Sequence, residues 1–147
     1  MEWPVVVLLA ALIPVANALE TTGTAQIAAD ALVAVAGSLQ HHAILALVLA
    51  VTMAVTPLLN NAATVLVMGP IAHGIATSIG VDSAAFLMAV AIGASCDFLT
   101  PFGHQNNTLI LGPGGYRFAD FWRLGLPMDA LVLGVAVPLL PIVFPFR

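Results

Sequence analysis

Long apolar blocks, each closed by a short polar or Gly/Pro-rich mark, run the length of this chain and predict a helical protein. The first block, residues 3–19, would be a helix about 26 Å long at 1.5 Å per residue, just enough to cross a bilayer. Residues 24–40, "TAQIAADALVAVAGSLQ", are helix-like but contain Asp30, which fits a short crossing or a helix lying on the membrane face. Residues 43–79 hold two apolar arms, Ala43 to Leu59 and Ala62 to Ile79, separated by asparagines. A tilted crossing wants about 20 residues, so two short arms meeting at a polar tip predict a re-entrant hairpin with its tip at membrane depth. The chain should reverse at about Asn60–Ala63. Residues 84–111 begin as a helix that Pro101 and Gly103 should interrupt at about Thr100–Gln105; helix resumes near Asn107 and runs to the turn "GPGG". An interfacial "YRFADFWR" follows, and the last span covers 124–146 with its core from Ala130 to Phe146.

Composition states what these helices face. Of 147 residues, 61% are hydrophobic and 7% charged, and mean hydropathy is +1.10. Soluble domains carry about 25% charged residues, so this chain could not cover a water-facing surface. It reads as an all-α integral membrane protein, multi-pass, in the cell (inner) membrane. A net charge of −4 then argues for no nucleic-acid partner. One cysteine, Cys96, allows no intrachain disulfide. The N-terminus has a signal-peptide look, with an apolar core from Val5 to Val15 and Ala16-Asn17-Ala18 behind it, but Glu2 and the lack of a basic residue before the core argue against that reading.

The polar marks carry the chemistry. "TPLLNNAATVLVMGP" places Asn60 and Asn61 in an apolar stretch, and "GHQNNTLILG" does the same with Asn106 and Asn107. An amide moved out of water without a partner costs roughly 2–7 kcal/mol. Secondary transporters build midplane sites from hairpin tips and broken helices, where half-helix N-termini face anionic groups and unwound carbonyls hold Na⁺. Amide oxygens and carbonyls suit a hard monovalent cation, and amide N–H groups suit a carboxylate or sulfate.

Three blocks in this order resemble the divalent anion/sodium symporter (DASS) family of the ion-transporter superfamily, which includes sulfate and dicarboxylate permeases: "ALETTGTAQ" at 18–26, "NNAATVLVMGPIA" at 60–72, and "ASCDFLTPFGHQNNTLILGPGGYRFADFWRLGLP" at 94–127. The resemblance covers the C-terminal repeat only. It implies one inverted repeat, with a re-entrant hairpin and a discontinuous transmembrane helix, of a larger permease. The substrate would be a small divalent anion, sulfate or dicarboxylate, moved with Na⁺ as coupling ion. The partners it implies are the lipid bilayer, a missing N-terminal repeat and, in the complete protein, a second copy as a homodimer. The chain is accordingly expected to be a fragment or a split subunit. Carried over by position, Asn60, Thr64, His104 and Asn107 would contact the anion. Asn61 and the Pro101 and Gly103 backbone carbonyls would hold Na⁺. Asp97, Asn106 and Thr100 are further functional candidates. The sequence departs from the family signature at Ala62, where a hydroxyl is usual, at His104, where Thr or Tyr is common, and at Asp97, where a small neutral residue is favoured.

Simpler roles stand beside these. One of the tip asparagines could cap the second arm, Asn106 and Asn107 could belong to any irregular stretch, and His104 could be a satisfied buried imidazole. His41 and His42 make no metal site, and His73 reads as structural. Arg117 and Arg123 read as anchors in one short loop, cytoplasmic by the positive-inside rule. An intramembrane aspartyl pair of Asp97 and Asp129 is disfavoured because Asp129 is read as lying at the edge of the last span, away from the break. A membrane scaffold or assembly subunit without transport of its own, packed through Gly93, Ala94 and Gly134, is the remaining alternative; it has no need of unwound backbone.

Overall fold

The computed structural model describes residues 40–59, 61–101 and 113–146, together with 14, 18, 21, 22, 34, 107 and 110. Asn60, Gly103, His104 and Asn106, and most of the segments expected at 3–19 and 24–40, lie outside the described residues. Four helices carry the fold: α1 (His41–Leu59), α2 (Asn61–Ser78), α3 (Ala84–Ser95) and α4 (Phe118–Val143). No strand occurs among the described residues.

The helices pack around α3, which touches α1, α2 and α4, while α1 also touches α2 and α4. The buried residues of α3 are Ala85, Phe86, Ala89, Val90, Gly93 and Ala94, one face at helical spacing. Its outer face is not polar, because Leu87 and Met88 are exposed. A water-facing helix would carry charge there. The same holds for α4, which exposes Leu124, Leu131, Val135, Leu139 and Ile142. Among the described residues α4 alone is long and apolar enough to cross a membrane.

Direction along the bundle follows from contacts at its two ends. At one end the ring of Phe146 meets His41 and His42, which start α1, at 5.6 and 5.5 Å, and Phe86 near the start of α3 at 6.0 Å. At the other, the Thr56 hydroxyl of α1 lies 3.4 Å from the Gly93 carbonyl of α3. So α1 and α3 run parallel, and α4 runs against both. The link from α2 to α3 is a tight reversal. Val81 N–H bonds to Ala76 O at 3.0 Å and Gly80 N–H to Thr77 O at 3.1 Å, with Gly80 at φ 73; this is a Schellman cap, whose left-handed position favours glycine. Asp82 Oδ1 then accepts Ala84 N–H at 2.7 Å and starts α3. With α2 antiparallel to α3, α2 is antiparallel to α1, and the chain turns back between Leu59 and Asn61.

Close approach of α1 and α3 depends on Gly93. A Cβ there would lie 2.9 Å from Thr52 Cβ and 3.2 Å from Leu49 Cδ1. Thr52 and Thr56 are fully buried, and each hydroxyl donates to the carbonyl one turn back, Val48 O at 2.7 Å and Thr52 O at 2.9 Å. This is how a hydroxyl is accommodated inside an apolar bundle. Gly134, by contrast, has open space around it, so it packs no helix here.

Two boundaries differ from the sequence reading. Helix α3 stops at Ser95, before the Thr100–Gln105 interruption expected from Pro101 and Gly103. A proline ring clashes with the carbonyl four residues earlier, here Asp97, and the residue before proline is pushed out of the helical region. Pro57, Pro70, Pro127, Pro138 and Pro141 nevertheless lie inside helices, so Pro101 removes one helical bond here but does not by itself set the stop at Ser95. The last helix starts at Phe118, not 124, so the interfacial "YRFADFWR" and the span are one helix of 26 residues. Asp120 Oδ2 accepts Arg117 N–H at 2.8 Å, the acidic half of a capping box.

Candidate functional site

The unwound segment Cys96–Pro101 is built by its own sequence. Cys96 N–H bonds to Gly93 O at 3.1 Å and tightens the last turn of α3. Pro101, fully buried, keeps Asp97 O out of a helical bond. The side chain of Asn107 takes up that carbonyl: Nδ2 donates to Asp97 O at 2.9 Å and to Thr100 O at 3.1 Å. Asn107 and Ile110 are themselves helical, and Gly114 N–H bonds back to Ile110 O at 2.9 Å. Asn107 thus ties the returning chain across the break.

The helix reversal lies at the same end of the bundle. Thr56 is level with Gly93, and α1 continues three residues beyond it, about 4.5 Å at 1.5 Å per residue. Leu59 therefore ends alongside the residues that follow Gly93. Asn61 is the first residue of α2 and is half-buried, and Thr64, one turn in, is fully buried and has a polar partner. The exposed N–H groups of a helix start carry partial positive charge, so the beginning of α2 and the carbonyl-rich break bring opposite partial charges to one end of the bundle.

The third wall is the first half of α4. Gly125 packs on the Phe98 carbonyl, and a Cβ there would lie 2.9 Å from Leu99 N. Beside this contact is a cavity of about 200 Å³ bounded by Phe98, Asn107, Phe121, Gly125 and Met128.

The citrate transporter family (CitMHS) matches residues 1–147. The chain belongs to this family. Among named relatives, an uncharacterized transporter of Synechocystis is 44% identical over 140 residues, 95% of this chain and 23% of the relative. An uncharacterized transporter of Escherichia coli is 37% identical over 146 residues, 99% of this chain and 24% of the relative. A probable sodium/sulfate cotransporter of Chlamydomonas reinhardtii is 31% identical over 136 residues, 91% of this chain and 15% of the relative. The chain thus spans about a quarter of the length of the first two. No solved structure matches it. These relatives agree with the permease resemblance seen in the sequence, and membership of a transporter family makes this a membrane protein.

Within this family member the structure brings Asp97, Thr100, Pro101 and Asn107 together around the break, and sets Asn61 and Thr64 at the same end. Asn60, Gly103, His104 and Asn106 lie outside the described residues. Both hydrogens of the Asn107 amide nitrogen go to backbone carbonyls, Asp97 O and Thr100 O, which leaves Oδ1 as an acceptor. Arg117 caps α4 and Arg123 lies in its second turn, so they share one helix end and not one loop.

Asp129 is corrected. It does not lie away from the break. It follows Gly125 by one turn on the same face of α4 and is 9% exposed. The signal was the spacing Gly125, Asp129, Ala136 and Leu140, the buried stripe of α4. Starting the span at 124 and its core at Ala130 hides the first half of that stripe.

Proposed function

We propose that this chain is one repeat of a multi-pass inner-membrane permease that moves a small divalent anion, of the sulfate or dicarboxylate class, coupled to Na⁺. The observation that carries the reading is the unwound segment Cys96–Pro101, clamped by Asn107 beside the start of α2. An unwound backbone inside an apolar bundle leaves carbonyls for an ion, and a helix start aims N–H groups at an anion. The names of the sodium/sulfate cotransporter relatives support the ion and the anion class.

In this reading α1 and α2 form a re-entrant hairpin, and α3 with the helical turn at Asn107 forms a discontinuous transmembrane helix. Asn61 and the Pro101 and Gly103 carbonyls hold Na⁺, an oxygen-only set suited to a hard cation, with Thr100 and Asn106 flanking it. Asn60, Thr64 and His104 face the anion, with Asn107 positioning the break. A second, N-terminal repeat completes the site, and the whole permease works as a homodimer.

Uptake of radiolabelled sulfate and succinate into vesicles holding the full-length protein tests this, with Na⁺ titrated at fixed anion and citrate as competitor. Na⁺-stimulated uptake of either anion is the expected result. Saturable uptake of neither, at any Na⁺ concentration, would refute the reading.

A further inference from the structure

The cavity of about 200 Å³ beside the break is a groove along α4, and its two ends differ in chemistry. Asp120, Leu124 and Met128 line it at helical spacing, so it follows the helix for about 12 Å at 1.5 Å per residue. Phe98 of the unwound segment and Ile110 form the opposite side, and Tyr116 closes the end nearest the start of α4. That end is a packed wall. The Tyr116 ring stands edge-on to Phe121 at 6.1 Å and covers Gly114, where a Cβ would lie 2.5 Å from the ring.

The polar end lies at the level of lipid headgroups. Tyr116, Phe118 and Trp122 are exposed around the start of α4, the aromatic marking of a helix that leaves the hydrocarbon. Arg117 and Arg123 are exposed with them, and from Leu124 onward the exposed side chains of α4 are apolar. Ile110, Leu124 and Met128 also face outward, so the groove opens sideways to the bilayer. Asp120 Oδ2 accepts the backbone N–H of Arg117 at 2.8 Å. That bond leaves the guanidinium outside and the carboxylate with acceptor capacity. The Asn107 amide nitrogen is taken up by the break. A small dianion is a poor occupant, because the walls are apolar and the charged group on the lining is a carboxylate.

We propose that the groove holds one acyl chain of an aminophospholipid of the phosphatidylethanolamine type, with its phosphate on Arg117 and its ammonium on Asp120. Guanidinium suits phosphate, and an ammonium brings three N–H donors to the carboxylate and the Tyr116 hydroxyl. A cation and an anion side by side match a zwitterion. An anionic headgroup would gain Arg117 but face Asp120, and a choline headgroup has no N–H to give. The acyl chain then lies on Phe98, so the lipid braces the unwound segment against α4. The site takes neither the ion nor the substrate of the transport reading and rests only on the chain being membrane-embedded.

The test uses the full-length protein in phosphatidylcholine nanodiscs without Na⁺ or substrate, so its outcome is independent of the transport reading. The discs carry a trace of phosphatidylethanolamine with a photoreactive diazirine in one acyl chain. Peptide mapping after illumination should place label on Phe98 and on residues 121–128. Unlabelled phosphatidylethanolamine should displace it there, and the same amount of phosphatidylglycerol or further phosphatidylcholine should not. Label on residues 131–142, the outer face of the same helix, is the background of surrounding lipid and should not saturate. Met128→Trp fills the apolar end and should lower the groove label several-fold. Asp120→Asn keeps an acceptor for Arg117 N–H and removes the charge. It should reduce the preference for phosphatidylethanolamine over phosphatidylcholine several-fold, the scale of one exposed ion pair, while the groove is still labelled. Groove label no stronger than on the outer face, or displaced equally by all three lipids, would overturn the proposal. So would a preference for phosphatidylglycerol, or a groove that takes no label because another part of the permease fills it. The wild-type protein alone gives these outcomes, so the test stands even where a variant does not fold.

Discussion

Gly125 lies against the Phe98 carbonyl with no room for a side chain between them: a Cβ would fall 2.6 Å from the carbonyl carbon and 2.9 Å from the amide nitrogen of Leu99. Helix α4 therefore docks on the unwound segment through backbone alone. A flexible side chain could swing aside, but a peptide group held by Pro101 and Asn107 cannot.

Gly125→Ala should accordingly push α4 off the break. Overpacking of this kind costs about 1–3 kcal/mol, which would appear as a lower melting temperature in detergent. Uptake by the full-length protein should fall more than stability alone explains, because the displaced contact is the wall of the site. Gly134→Ala, where nothing lies within 4 Å, serves as the control and should change neither.

Asn107→Ala should loosen the break itself. It removes two part-buried hydrogen bonds, to Asp97 O at 2.9 Å and Thr100 O at 3.1 Å, and a hydrogen bond of this kind is worth about 0.5–1.5 kcal/mol. Asn107→Asp should be worse than Ala, since a carboxylate cannot donate and repels the same carbonyls. A thermal-unfolding series of the three proteins checks the order. Asp equal to Asn would mean that the clamp does not matter.

Much of this arrangement was legible in the sequence, and the illegible part has a physical cause. The reversal at the asparagines could be read because a polar tip between two arms of under 20 residues has few alternatives in an apolar medium. The break could be read from Pro101, but not its start at Ser95. That boundary depends on the carbonyl of Asp97 finding a partner ten residues away in Asn107, and no local pattern announces such a pairing. Asp129 was misplaced for a related reason. A nearly uniform apolar chain gives little periodic contrast between inner and outer faces, so the buried stripe of α4 shows only through its small and polar members, Gly125 and Asp129. Charge patterning, which would mark the outer face of a soluble helix, is missing where lipid replaces water.

Gly93→Ala tests the packing of α1 on α3. The new methyl would meet Thr52 Cβ at 2.9 Å and Cγ2 at 3.0 Å. Thr52 cannot rotate away, because its Cβ is fixed to the helix and its hydroxyl is tied to Val48 O. A loss of about 1–3 kcal/mol is expected. The same shift would stretch the 3.4 Å approach of Thr56 to Gly93 O, so hydrogen exchange at the end of α3 should rise with the loss of stability. Unchanged exchange at Ala94–Cys96 would show that the two helices can separate without disturbing the break.

Asn61→Ala bears most directly on the ion. Na⁺ must shed water to bind at membrane depth, so several oxygens have to converge, and the first residue of α2 is the described amide at the reversal. Its carboxamide oxygen is a neutral hard ligand. Without it the apparent affinity for Na⁺ should fall on the order of tenfold or more, about 1.4 kcal/mol. By linkage the anion should bind more weakly at low Na⁺ and recover as Na⁺ is raised. A residue that touched only the anion would behave otherwise, raising the anion requirement equally at every Na⁺ concentration; Asn60→Ala is expected to follow that second pattern. Uptake by the full-length protein, measured as a grid of Na⁺ against anion concentration, separates the two. Wild-type Na⁺ dependence in Asn61→Ala would remove the ion site from this helix start.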